Sequence, residues 1–265
     1  MGSQRIRCPK CGANRYWRLS DGRYKCRKCR HRFRSQSAWE LSRLAPRTKL
    51  KLTEYFALGV PAWRVRFRTE ATTKAVERFY RILRACCLLD EERYWEKPVG
   101  GVVELDETLF GGRRKEKRGW GAAGKIIAFG IYKRNGRVKV FAVPDRKKET
   151  LLELVERVTK PGSLYYTDDY HAYATLRQRG DHVVVNKEKG VPKGRTHING
   201  IEGFWSYAKN WLYPYRGIPR KNFHLYMGEI CWRFNHREED LFPLLLKLLR
   251  ETPADEVREI LVRDG

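Results

Sequence analysis

The spacing of apolar side chains changes near residue 100 of this chain. Over residues 37–97 they recur every three or four positions, which predicts helices. Pro46 is expected to break the first apolar stripe and Gly59 to end it, and a short helix should follow over Ala62–Phe67. Thr69 is placed to cap a longer helix. The exposed face of that helix would carry Lys74, Arg78, Arg81 and Arg84. This order of helices is typical of a helix-turn-helix that binds DNA, although a plain helical linker has the same pattern.

Beyond a proline-glycine boundary at residues 98–101, the pattern predicts strands that alternate with helices. Asn135-Gly136 lies between two apolar runs and is a strong signal for a β-hairpin turn. A loop rich in Gly, Lys and Arg should cover Gly111–Gly124. The predicted strands are Val102–Thr108, Ile126–Tyr132, Val138–Val143, Leu164–Thr167 and His182–Val185. The predicted helices are Thr150–Val158, His171–Arg179, Ile201–Leu212, Phe223–Asn235 and Leu241–Leu249.

Two CxxC pairs lie near the N-terminus, Cys8 with Cys11 and Cys26 with Cys29. Each pair can present two thiolates from a tight turn, and four thiolates complete a tetrahedral structural zinc site. The residues between the pairs read as strand, turn and strand, so a zinc ribbon is predicted. The remaining cysteines, Cys86, Cys87 and Cys231, lie in apolar helical segments and should be buried thiols.

The order β-β-β-α-β-α-β-α is that of a ribonuclease-H-like α/β fold, a mixed sheet with helices on both faces. In that layout the first and fourth strands are neighbours, so Asp106 and Asp168 should meet at the ends of their strands. The predicted domains are a zinc ribbon (1–36), a helical DNA-binding region (37–97), a catalytic domain (98–240) and a C-terminal helical tail (241–265).

Charge points to a polyanionic partner. The chain has 56 Lys and Arg against 31 Asp and Glu, a net charge of +25, and a compact protein repels itself at such a charge unless it acts on a polyanion. Nucleic acid is the first candidate, an anionic membrane the second, and a merely basic soluble protein the third. No apolar run approaches the roughly 18 residues that cross a bilayer. We therefore expect a cytoplasmic, nucleoid-associated protein with no membrane partner.

The acids predict metal-dependent phosphodiester chemistry. Such chemistry uses two Mg²⁺ ions held by carboxylates, and Asp106, Asp168 and Glu202 provide three. Lys209 falls within about 20° of Glu202 on the same helix face and would hold a phosphate. Glu104, Glu107 and Asp169 are alternatives, but strand alternation should turn Glu107 away from Asp106.

Three motifs resemble the DDE transposases of bacterial and archaeal insertion sequences, in particular the group with an N-terminal zinc ribbon. They are Glu104–Thr108 with Phe110-Gly111-Gly112, Tyr166-Thr167-Asp168, and His197–Ser206 with Lys209. The resemblance implies strand cleavage and strand transfer at element ends, with Mg²⁺ or Mn²⁺ as cofactor. Members of this group also use Asn as the third catalytic position. Asn199 is therefore an alternative to Glu202, or it orients that acid or caps its helix.

Two other functions fit the same residues: a catalytically inactive or domesticated sequence-specific DNA-binding protein, and a nuclease or resolvase of the same fold. Because transposition holds two element ends together, a homodimer on double-stranded DNA is expected.

Overall fold

The computed structural model describes residues 8–21, 23–34, 36–111, 125–185, 196–215 and 217–262. The predicted loop Gly111–Gly124 lies outside these residues, apart from its first glycine. The chain divides into two compact units, residues 1–89 with 239–265, and residues 90–238. None of the helices in the described residues is long and apolar enough to cross a membrane.

The N-terminal segment forms a small antiparallel sheet, as its pattern predicted. The strands are β1 (Tyr16–Arg18), β2 (Tyr24–Cys26) and β3 (Arg32–Phe33), in the order β1-β2-β3. The two CxxC turns are alike, because the residue after each pair has a positive φ, +68° at Gly12 and +61° at Arg30. Arg30 adopts this left-handed conformation without the freedom of glycine.

Helices follow this small sheet along the chain. They are α1 (Pro46–Ala57), α2 (Ala62–Val65) and α3 (Thr73–Tyr94), with a 3-10 turn at Ala38–Leu41. Pro46 is the first residue of α1, where its missing N–H costs no hydrogen bond. Thr72, just before α3, caps the long helix rather than Thr69, since its hydroxyl accepts the Ala75 N–H at 3.3 Å. Cys86 and Cys87 in α3 are buried, as predicted.

The C-terminal helices are α7 (Leu241–Glu251) and α8 (Ala254–Val262). α7 packs on α1, and both C-terminal helices pack on the turn Ala38–Leu41. The sequence patterns did not predict this contact between the two ends of the chain.

The second unit is built on a mixed five-stranded sheet. Its strands are β4 (Val102–Phe110), β5 (Ile126–Lys133), β6 (Val138–Val143), β7 (Leu164–Thr167) and β8 (His182–Val184). They lie in the order β6-β5-β4-β7-β8. β4, β5 and β6 pair antiparallel, whereas β7 is parallel to both β4 and β8. The first and fourth strands of this sheet are therefore neighbours, as predicted.

Helices cover both faces of this sheet. α5 (Asn199–Leu212) and α6 (Phe223–Asn235) pack on one face, where Cys231 is buried. α4 (Lys148–Val158) and the segment His171–Gln178, a 3-10 helix, pack on the other. Val103 and Leu105 of β4 belong to the core beneath α4. The alternate residues Glu104 and Asp106 contact α5, so the two faces of this strand have different roles.

Candidate active site

The sequence predicted that Asp106 lies near the end of its strand. In the structure it is instead the middle residue of the nine-residue strand β4. The strand is longer than predicted because its pairing with β5 continues to Phe110 and Ile126. The Asp106 side chain faces α5, where the indole N–H of Trp205 donates to Oδ2 at 3.0 Å. The carboxylate is thus held on one side by a helix residue.

Asp168 directly follows β7, at the level of Asp106. Parallel pairing aligns Glu104 with Tyr166, so the residues two positions later, Asp106 and Asp168, come side by side. Burial, followed by repulsion from Asp168 and Glu107, raises the pKa of Asp106 to about 7.

Glu202 lies in the first turn of α5 and is half-buried, while Lys209 lies two turns further along and is exposed. Asn199 is exposed and is the first helical residue, with Ile198 at the N-cap position. Asn199 therefore does not cap the helix, contrary to one of the two secondary roles suggested by the sequence. Its roles as a third metal ligand or in orienting Glu202 stay predictions.

The alternative acids have other surroundings. Glu107 faces the opposite side of the sheet from Asp106, as predicted, and pairs with Arg146 at 3.2 Å. Asp169 is exposed. Glu104 is buried and both of its oxygens accept hydrogen bonds, from Arg134 and from the Ile201 N–H. Sequence reasoning missed Arg134 altogether.

The four predicted cysteines come together at one point. Their sulfur atoms all lie within 4.8 Å of one another, and tetrahedral zinc with bonds of about 2.3 Å separates its sulfurs by about 3.8 Å. The Cys29 N–H donates to Cys26 Sγ at 3.5 Å, and backbone donors lower the pKa of Cys26 to about 6. This cluster is positioned to bind a metal such as zinc. Within the described ranges it is the only group of three or more potential ligands gathered this closely.

Residues 98–235, just over half of the chain, match the family of ISXO2-like transposase domains. The chain belongs to the ISXO2-like transposase family. It is 36% identical over 103 residues to a transposase-like protein of Haemophilus influenzae. The aligned stretch covers 38% of this chain and 84% of that relative. It is 27% identical over 254 residues to a protein in the transposable element ISH50 of Halobacterium salinarum, 84% of this chain and 83% of that relative. The resemblance to insertion-sequence transposases is thereby confirmed, and the family implies DNA as a partner.

Because a transposase binds DNA, the basic residues of α3 are candidates for contacts with DNA. Lys74 and Arg78 are exposed and Arg81 is partly exposed. Arg84, which the helical pattern had placed on the same exposed face, is only 3% exposed. Its guanidinium lies 5.7 Å from the ring centroid of Phe56, because α3 buries this side against α1. Arg84 is therefore removed from the proposed surface.

Gly130 lets α5 lie directly on the sheet of this transposase. It pairs with Asp106 in the register of β4 and β5. An added Cβ would lie 2.6 Å from the Trp205 ring and 2.7 Å from the Ile201 side chain. Both contacts are shorter than side-chain packing permits, so the helix rests on a strand position that only glycine fits.

Gly130→Ala should lower the free energy of unfolding by about 1–3 kcal/mol, since it overpacks this contact. Gly203→Ala is the control, because an added Cβ there meets nothing within 4 Å. It should instead stabilise the helix by up to about 1 kcal/mol. Urea denaturation of the full chain, followed by circular dichroism, measures both. Equal stability of the two variants would contradict the packing described.

Proposed function

We propose that this transposase is a DDE enzyme that binds the ends of its mobile element, cleaves DNA strands there and transfers them to a target. Asp106, Asp168 and Glu202 are the proposed catalytic acids. The observation that carries the proposal is the parallel pairing of β4 with β7, which aligns Glu104 with Tyr166 and so brings Asp106 and Asp168, each two positions later, to the same level. The sheet order and its helices on both faces support a ribonuclease-H-like fold for the catalytic domain.

The residue types of this site suit Mg²⁺ or Mn²⁺, although the carboxylate oxygens of Asp106, Asp168 and Glu202 do not all lie within 4.8 Å of one another as the four cysteine sulfurs do. Carboxylate oxygens are the ligands that these ions prefer. Burial is the main cause of the raised pKa of Asp106, and repulsion from the neighbouring acids Asp168 and Glu107 adds to it. A cation bound by Asp106, Asp168 and Glu202 would relieve that repulsion.

Bound divalent ions would activate the attacking hydroxyl group and neutralise charge on the leaving oxygen. The protein's own residues have separate tasks. Trp205 donates its indole N–H to Asp106 Oδ2 and so helps to orient this carboxylate. Lys209 is exposed on the helix of Glu202 and would bind a phosphate of the scissile strand. Lys74, Arg78 and Arg81 would contact DNA from the helical region.

The proposal extends to the metal and the assembly. Zinc is the proposed occupant of the four-cysteine cluster, since tetrahedral thiolate sites select it. Strand transfer needs two element ends in one complex, so we infer a homodimer on DNA.

One assay tests the catalytic proposal. The protein is incubated with Mg²⁺, a labelled duplex taken from the end of its own element, and a target plasmid. Cleavage of the end followed by joining to the plasmid is the expected result, and Asp106→Asn should bind the duplex without cutting it. Binding without cleavage by the unaltered protein would instead indicate an inactive DNA-binding protein. Cleavage of branched DNA without joining would indicate a resolvase.

A further inference from the structure

Glu104 is a buried acid that the proposed chemistry does not use. It lies two residues before Asp106 on the same face of β4, and its side chain is 1% exposed. A buried charge needs partners to offset the loss of water. Its partners therefore indicate what the residue does.

Both oxygens of Glu104 are engaged. Oε1 accepts from Arg134 Nε at 2.7 Å, and Oε2 accepts the backbone N–H of Ile201 at 2.9 Å. Ile201 is the third residue of α5, where a helix N–H lacks a partner within the helix itself. Glu104 thus caps the helix from a neighbouring strand, and its negative charge also suits the positive end of the helix dipole.

Arg134 completes this connection. It follows β5, donates to the carbonyl oxygen of His197 just before α5, and lies over the Tyr166 ring at 4.0 Å. The Arg134 guanidinium therefore connects Glu104 of β4, the backbone just before α5 and Tyr166 of β7.

Gly200 shows how closely the helix approaches this pair. An added Cβ there would lie 2.9 Å from Glu104 Oε2 and 2.2 Å from the Tyr132 ring. The first turn of α5 therefore fits against Glu104 because residue 200 has no side chain.

We propose that Glu104 and Arg134 are positioning residues that hold the first turn of α5, and with it Glu202, at a fixed place relative to Asp106. The proposal rests on the function proposed above, because it assigns the anchored turn to a metal-binding acid. Glu202 directly follows Ile201, whose N–H Glu104 binds, so a shift of this turn moves Glu202. Residues that orient metal ligands typically change metal affinity by on the order of 10–100-fold when altered.

The test uses Glu104→Gln in the full chain, with Glu229→Gln as the matched control. Glu229 is also 1% exposed and pairs with a buried arginine, Arg233, at 2.8 Å, but within α6. Hydrogen–deuterium exchange of peptides spanning residues 198–205 reports the anchoring of the turn. Calorimetric titration with Mn²⁺ alone reports the metal site without reference to cleavage.

Glu104→Gln should speed exchange in residues 198–205 and weaken Mn²⁺ binding by at least about tenfold, whereas Glu229→Gln should do neither. Arg134→Lys keeps the positive charge but loses the planar guanidinium that bonds Glu104 and the His197 carbonyl through two separate nitrogens, so its effects should be smaller and in the same direction. If Glu104→Gln does not fold, Arg134→Lys tests the same proposal by the same two measurements.

Unchanged exchange in residues 198–205, or faster exchange with unaltered Mn²⁺ affinity, would overturn the positioning role. Neither measurement depends on DNA cleavage. A protein that anchors α5 and binds Mn²⁺ as expected but does not cut element ends would therefore refute the proposed function alone.

Discussion

Glu202→Gln is expected to abolish strand cleavage while leaving DNA binding intact. The substitution keeps the shape of the side chain but removes the third negative charge, and two divalent ions near a phosphate need more than the charges of Asp106 and Asp168. The loss should exceed the roughly 100-fold that changes outside the direct ligands produce. Cleavage of a labelled element end in Mg²⁺, with binding followed by gel shift, measures both effects.

Asn199→Ala is the matched variant for this choice of ligand. Asn199 lies three residues earlier at the entry to the same helix, and it offers a neutral carbonyl oxygen instead of a carboxylate. We expect this variant to retain part of the cleavage activity. A dead Asn199 variant beside a fully active Glu202 variant would transfer the third catalytic position to Asn199.

Loss of zinc is expected to unfold the ribbon. Among the residues of this segment that the structure describes, the buried core consists of Cys8, Cys26, Tyr24 and Phe33. Too little apolar surface is buried there to hold the fold, so metal binding would supply about 10–16 kcal/mol of folding free energy. Cys26→Ser should lose zinc, expose the amides of residues 24–26 to fast hydrogen exchange, and weaken binding to element ends.

The second unit should remain folded in that variant, because residues 90–238 have a core of their own. Cys231→Ser is the control, since this buried thiol lies in α6 within that unit. It should retain one zinc per chain by elemental analysis. Full zinc content in Cys26→Ser would refute the four-cysteine site.

Features set by local pattern could be predicted from the sequence. The hairpin at Asn135-Gly136 and the paired CxxC turns depend on residues close together in the chain. The neighbouring positions of Asp106 and Asp168 also followed, because the order of strands and helices restricts how a mixed sheet is connected. In these cases the residue types and their spacing are sufficient.

Features that depend on tertiary packing could not be predicted from the sequence. The burial of Arg84 follows from which side of α3 faces α1, and helical periodicity leaves that choice open for a residue at the edge of the apolar stripe. The contact of Glu104 with Ile201 joins residues 97 positions apart. This contact could not be predicted, because it forms only when β4, the turn after β5 and the start of α5 come together in the folded protein.

The left-handed backbone of Arg30 shows what a metal-bound ribbon can tolerate. A non-glycine residue in this conformation costs on the order of 1–2 kcal/mol, and the matching turn avoids the cost with Gly12. Metal binding in comparable modules releases several times that energy, so zinc in the proposed site would offset the cost of a non-glycine residue at position 30. Its guanidinium lies 4.8 Å from the ring centroid of the partly exposed Trp17, and that of Arg27 lies 5.3 Å away. With the proposed zinc holding its shape, the ribbon would therefore present an arginine beside Trp17 even at a position whose backbone favours glycine.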